Sequence, residues 1–183
     1  MMLQIGHRES HDVDLFLDDP QILGFLDPSK SDLEFAIMPS DYVGDGARFQ
    51  KFAFSDIGEI DFIVAGSLTD RPFIETDIEG YAVKLETIGE IIAKKVYHRG
   101  RDAKARDIFD MAAAARTRRP ELIESLRPYP DQAGSMARAV KGLNPDFVSS
   151  TIGQLMIRPE YSDLISSSAG IVSGLLDEVL SRA

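Results

Sequence analysis

Two acidic side chains, one residue apart in the chain, offer the first chemistry. In Gly6-His7-Arg8-Glu9-Ser10-His11-Asp12-Val13-Asp14-Leu15-Phe16, the apolar Val13, Leu15 and Leu17 alternate with Asp12, Asp14 and Phe16. That is the period-2 pattern of a half-buried strand. Both carboxylates then leave the strand on one side, and the other side is expected to be buried. Two like charges so placed resist ionising together unless a cation or a proton neutralises them. Hard oxygen ligands at this spacing suit Mg²⁺ or Mn²⁺, which take one or two carboxylates, several waters and the phosphates of a substrate. A solvated strand edge can carry the same pair.

Asp61 is the next residue of interest. In Glu59-Ile60-Asp61-Phe62-Ile63-Val64-Ala65 the β-branched and aromatic content predicts a central strand. A lone Asp inside it is costly to bury without a partner. It is either a functional carboxylate, with Glu59 the competing candidate, or a salt-bridged edge residue. The densest run of cations is Lys94, Lys95, His98, Arg99, Arg101, Lys104 and Arg106, a pattern usually found on a solvated helix face.

Taken together, Gly6, His7, Arg8, Ser10, Asp12, Asp14, Leu15 and Phe16 resemble the Asp-x-Asp segment of nucleotidyltransferases, and specifically that of the AbiEii/AbiGii-toxin-like branch. A second stretch, Glu90-Ile91-Ile92-Ala93-Lys94-Lys95 with Arg99-Gly100 and Ala105-Arg106-Asp107-Ile108-Phe109-Asp110, is similar to that branch's second signature. The resemblance covers roughly residues 3–115. It implies that Asp12 and Asp14 hold divalent ions, Mg²⁺ or Mn²⁺, and that Asp61 supplies a third carboxylate. It implies that Lys95 reaches nucleotide phosphates, with Arg8, Ser10, Arg99 and Arg106 as further nucleotide contacts. Lys94 stands where an acidic residue is expected. Asp107 and Asp110 are assigned structural roles, and Arg106 and Asp110, at i and i+4, are expected to pair on one helix face.

The branch also opens with a small-residue hairpin, Gly-Gly-Thr-Ala-Leu or similar, whose backbone amides receive the triphosphate. Met1-Met2-Leu3-Gln4 has no such residues, and Gly6 is too close to Asp12 to replace them. This chain is therefore expected to bind Mn²⁺ and to turn over NTP slowly. By resemblance the activity is transfer of an NMP from an NTP substrate to a hydroxyl, in a toxin–antitoxin or phage-defence setting, with RNA as an acceptor and an antitoxin protein as a partner. The alternative of a different class is a degenerate, non-catalytic fold that binds a nucleotide or a partner protein.

The elements that must position these residues follow from the remaining pattern. The 183 residues can bury a sizeable core. A net charge of −10 argues against a protein that coats nucleic acid. It divides unevenly: residues 1–93 carry 6 Lys/Arg against 19 Asp/Glu, and residues 94–183 carry 14 against 11. There is no cysteine, hence no disulfide or thiolate site, and no His lies in a nucleophile-elbow context. With no apolar run of about 18 residues and no signal peptide, neither a membrane span nor export is expected, and cytoplasm is the default.

Pro20 should open a short helix over residues 21–26. Residues 32–38 fit helix or strand. Gly44-Asp45-Gly46 predicts a turn, followed by an edge-like strand through Phe49, Phe52 and Phe54. Residues 66–80 read as turn-rich, and residues 81–85 as another strand. Thr87 and Glu90 have capping-box spacing at the head of a long helix. Further helices are expected over 108–118, 120–126, 132–141 and 162–180, separated by prolines. The expected architecture is α/β (α+β): a nucleotidyltransferase-like mixed sheet with flanking helices in residues 1–88, then a helical subdomain in residues 89–183.

Overall fold

Met2–Ile5 form a single helical turn, α1, that ends at Gly6 with φ 58°, a left-handed conformation that glycine adopts without strain. The alternating run then makes strand β1, Val13–Leu17. Pro20 opens a 3-10 turn capped by the Asp19 side chain. The turn leads into α2, Leu23–Leu26, as the proline pattern predicts. No regular element forms over residues 32–38. Strands β2 (Asp41–Gly44), β3 (Phe49–Phe54) and β4 (Gly58–Val64) follow. This computed structural model describes residues 1–182, and its chain divides into two units, Ser10–Ser67 and Met1–Glu9 with Leu68–Ala183.

In the first unit the sheet order is β1-β4-β3-β2. β1 runs parallel to β4, while the other pairs are antiparallel, so the sheet is mixed. β4 is central, as its apolar content requires. The phenylalanine strand β3 is interior rather than an edge, because Asp41–Gly44, a short strand just after Pro39-Ser40, pairs along its outer side. Leu23 of α2 and Phe52 are buried, and Phe35 packs edge-on to Phe52 with ring centroids 5.1 Å apart. That cover lies over β3. β1 is the sheet edge, and Val13 and Leu15 stay 51% and 41% exposed, so the expected burial of that strand's apolar face is incomplete.

In the second unit, residues 66–80 hold more than turns. β5 (Phe73–Ile78) pairs with β6 (Tyr81–Glu86) as a separate two-stranded hairpin. Its turn places Glu79 and Gly80 at positive φ. Helices α3 (Ile88–Arg99), α4 (Ala105–Leu126), α5 (Pro130–Gly142), α6 (Pro145–Ile152) and α7 (Leu164–Ser181) complete the unit. Pro120 lacks the N–H that a continuous helix needs, and α4 breaks locally at Arg118, φ −125°. α6 went unread in the sequence, although Pro145 sits in its first turn and Asn144 caps it by accepting from two backbone N–H groups.

The core joins Ile92, Phe109, Met111, Leu126, Met136 and Leu175. The buried run Ala112–Ala115 presents only methyl groups, which lets α4 approach its neighbours closely. Among the described residues, α7 is the one helix long and apolar enough to span a membrane by length and composition, a run the sequence reading did not register. Its Val172, Leu175, Leu176 and Val179 are buried in this helical core.

Half of the expected capping box forms. Thr87 Oγ1 accepts from the Glu90 N–H at 3.2 Å. The Glu90 carboxylate, fully buried, turns instead to the Leu68 and Thr69 N–H groups at 2.9 Å and to the Thr69 hydroxyl at 2.7 Å. Glu90 therefore ties the start of this stretch to α3. Glu90→Gln is expected to destabilise the protein by about 2 kcal/mol in urea unfolding, since charge-assisted bonds become neutral ones and an amide N–H₂ faces donors. An unchanged midpoint would show that these bonds contribute nothing net.

Candidate metal centre

The carboxylates of the first unit line up across strands. In the parallel register Asp14 faces Asp61, and in the antiparallel register Lys51 faces Asp61. Residues opposite one another share a sheet face, so Asp14, Asp61 and Lys51 form one row across β1, β4 and β3. Asp12 stands just before β1, exposed, and alternation assigns it to the Asp14 side. Glu59, two residues before Asp61, also shares the face. The opposite face carries Ile60, Phe62 and Phe52.

The two oxygens of Asp61 differ. Oδ2 lies 3.2 Å from Lys51 Nζ, while Oδ1 is buried and has no hydrogen-bond partner. Burial pushes the Asp61 carboxyl above the ordinary carboxylate range; Lys51 opposes that shift, and the negative charges of Asp14 and Glu59 add to it. Lys51 also donates to Glu59 Oε2 at 2.5 Å, and that bond holds its ammonium above the usual lysine value. A buried carboxylate oxygen without a donor, beside a second carboxylate in register, is chemistry suited to a hard divalent cation. Among the described residues, no three His, Cys, Asp or Glu side chains are grouped as they would be around an ion.

Backbone geometry helps to set this row. Gly58, at the head of β4, has φ 145°, and a Cβ there would overlap the His11 carbonyl. Glycine thus allows the chain entering Asp12 to lie directly against β4. An open pocket of about 430 Å³ lies beside it, lined by His11, Ser40, Asp56, Gly58 and Glu59 among others.

Of the other residues singled out in the sequence, Arg8, Lys95, Arg99, Asp107 and Asp110 belong to the second unit and form an ion network there. Arg8 binds Asp110 with Nε on Oδ1 at 2.8 Å and a second nitrogen on Oδ2 at 3.2 Å. His7 Nε2 meets the same Oδ1 at 2.8 Å and stacks on Phe109. Lys95 Nζ donates to Asp107 at 2.8 Å and to Asp110 at 2.5 Å, and Arg99 reaches Asp107 at 3.3 Å. Burial alone would raise the Asp110 carboxyl, but Lys95, His7 and Arg8 hold it far below the usual range. The segment before Ser10 is also tied down by backbone bonds, Glu9 N–H to Met156 and Arg158 N–H to the His7 carbonyl.

The structure thus brings Asp14 and Asp61 into register and leaves Asp12 exposed beside them. It gathers Arg8, Lys95 and Arg99 around Asp107 and Asp110. Arg106 is exposed and does not bind Asp110, whose two oxygens are taken by His7, Arg8 and Lys95. Ser10 is half-buried at the start of the first unit. Two participants were missed. Lys51 interrupts an aromatic strand as Asp61 interrupts an apolar one, and that signal was available. His7 stood in the motif without a role.

The fold is thus a mixed four-stranded sheet with Asp14 and Asp61 in register, and a set of helices in the same chain. A family profile described as nucleotidyl transferase AbiEii toxin, type IV TA system, matches residues 1–164, and the chain belongs to that family. The family is one of type IV toxin–antitoxin systems, so an antitoxin counterpart is implied. No curated protein and no solved structure matches the chain.

Proposed function

We propose that the protein transfers a nucleoside monophosphate from an NTP to a hydroxyl, with RNA as acceptor, in the cytoplasm. The observation that carries this reading is the unpartnered, buried Asp61 Oδ1 in register with Asp14. Asp12 and Asp14 would hold Mg²⁺ or Mn²⁺, with Asp61 as the third carboxylate. When bound, such ions stabilise charge on the attacking and leaving oxygens of an in-line displacement.

Asp61 takes the proton of the acceptor hydroxyl, on the oxygen that no donor occupies. The hydroxyl oxygen bonds to the α-phosphorus as the bond to the bridging oxygen breaks, and pyrophosphate leaves. Arg106, exposed and without a hydrogen bond or ion pair among the described residues, is available to phosphate. The charge of Lys95 is already matched by two carboxylates. Ser10, in the same unit as Asp12 and Asp14, adds a nucleotide contact in this reading.

Calorimetric titration with Mn²⁺ tests the site. Binding is expected in the unaltered protein and is expected to disappear in Asp12→Asn/Asp14→Asn. Binding of equal strength in both would place the ion elsewhere and remove the basis of the reading.

A further inference from the structure

Lys51 lies within reach of two carboxylates, and nothing in the proposed reaction yet uses it. Its ammonium bridges Glu59 Oε2 at 2.5 Å and Asp61 Oδ2 at 3.2 Å. On the same face its register neighbour in β2 is Val43, and its neighbours along β3 are Phe49 and Ala53, none of them charged. These two acids are therefore the anions its strand neighbours offer. Asp61 is thereby divided between a cation on one oxygen and no partner on the other.

We propose that Lys51 is a positioning residue that competes with the divalent ion for Asp61 and withdraws to Glu59 when the ion binds. The inference rests on the reading of Asp12, Asp14 and Asp61 as the metal-binding carboxylates. An ion drawn to Asp14 and Asp61 brings two positive charges up to a carboxylate that already holds an ammonium, and like charges at such distances repel strongly at the edge of a protein interior. Lysine is suited to yielding, because its charge sits on a flexible four-carbon stem. Glu59 makes the shorter contact and gives the ammonium a place to stay, so the withdrawal leaves no unpaired charge. Lys51 and Glu59 together thus set how readily the row accepts an ion and keep Asp61 neutralised and oriented until it does.

Competition of this kind is a coupling between two cations, and it has a thermodynamic signature. In Mn²⁺ calorimetry, Lys51→Met is expected to bind about tenfold more tightly than the unaltered protein, and Glu59→Gln about tenfold more weakly, because Lys51 then stays on Asp61. Lys51→Arg keeps the charge and is expected to leave affinity close to the unaltered value. Adding Glu59→Gln to Lys51→Met is expected to change little, since Glu59 acts through the lysine.

Unchanged or weaker binding in Lys51→Met overturns the proposal. So does a Glu59→Gln effect of equal size in both backgrounds, which would mean that Glu59 acts by its own charge. Thermal midpoints taken on the same samples report whether each variant is folded. Should neither the unaltered protein nor Lys51→Met bind Mn²⁺, the metal reading itself fails. Binding by Lys51→Met alone would show the lysine dominating the site.

Discussion

Asp110→Ala is expected to cost the protein about 3–5 kcal/mol of folding stability, the loss typical when one member of a buried ionic cluster is removed. Asp110 is 2% exposed and receives His7, Arg8 and Lys95 on its two oxygens. Truncation removes the anion that His7, Arg8 and Lys95 share, leaves Lys95 to Asp107 alone and opens a small cavity. Against a total stability of about 5–15 kcal/mol, such a loss leaves the protein marginally folded. Urea unfolding at neutral pH reads the difference, and a loss under about 1 kcal/mol would mean that the cluster relaxes into water.

The same contacts dictate a pH dependence. Lys95 and the hydrogen bonds from His7 and Arg8 depress the Asp110 carboxyl below its unfolded value of about 3.9. Its contribution is therefore complete above pH 4 and is lost as the pH falls below that value toward the folded pKa. The acid limb of the stability curve should be shallower in Asp110→Asn.

Asp14→Asn is expected to slow nucleotide transfer by about 10³-fold, equivalent to roughly 4 kcal/mol of transition-state stabilisation. The amide matches the carboxylate in shape, so β1 and its register with β4 should persist. It carries no charge and cannot serve as an anionic ligand. Single-turnover kinetics with protein in excess over NTP read the chemical step directly. A rate within tenfold of the unaltered protein would remove Asp14 from the reacting centre.

How far these features were legible depends on the range of the interactions that create them. β1, central β4 and the cap at Thr87 are written in local patterns, period-2 alternation, β-branched content and a hydroxyl at helical spacing. Asp61 was legible because a single acid in an apolar strand has few inexpensive explanations. The β5 strand was not read, although Ile74, Thr76 and Ile78 alternate with Glu75 and Asp77; neither face is deeply buried. Short β2 was obscured by the proline and serine before it. α6 was masked by Asn144-Pro145, which reads as a breaker and serves here as a cap.

The ion network was the hardest to foresee. His7 and Asp110 are 103 residues apart in the chain, and nothing local announces that the segment before Ser10 packs with α3 and α4. The two motif stretches were legible separately. Their meeting, Arg8 on Asp110 and Lys95 between Asp107 and Asp110, is a product of tertiary packing. Assigning Asp107 and Asp110 to structure was consistent with their burial, whereas the i,i+4 expectation for Arg106 failed because stronger, buried donors already occupy Asp110.

The most direct test of the central claim is a single-turnover assay with Mn²⁺, excess protein and RNA, run in parallel with NTP labelled at the α- or the γ-phosphate. Appearance of α label in RNA, no γ label, and loss of the signal in Asp14→Asn is the predicted result. Transfer of the γ label, or α-label transfer that survives Asp14→Asn unchanged, would contradict it.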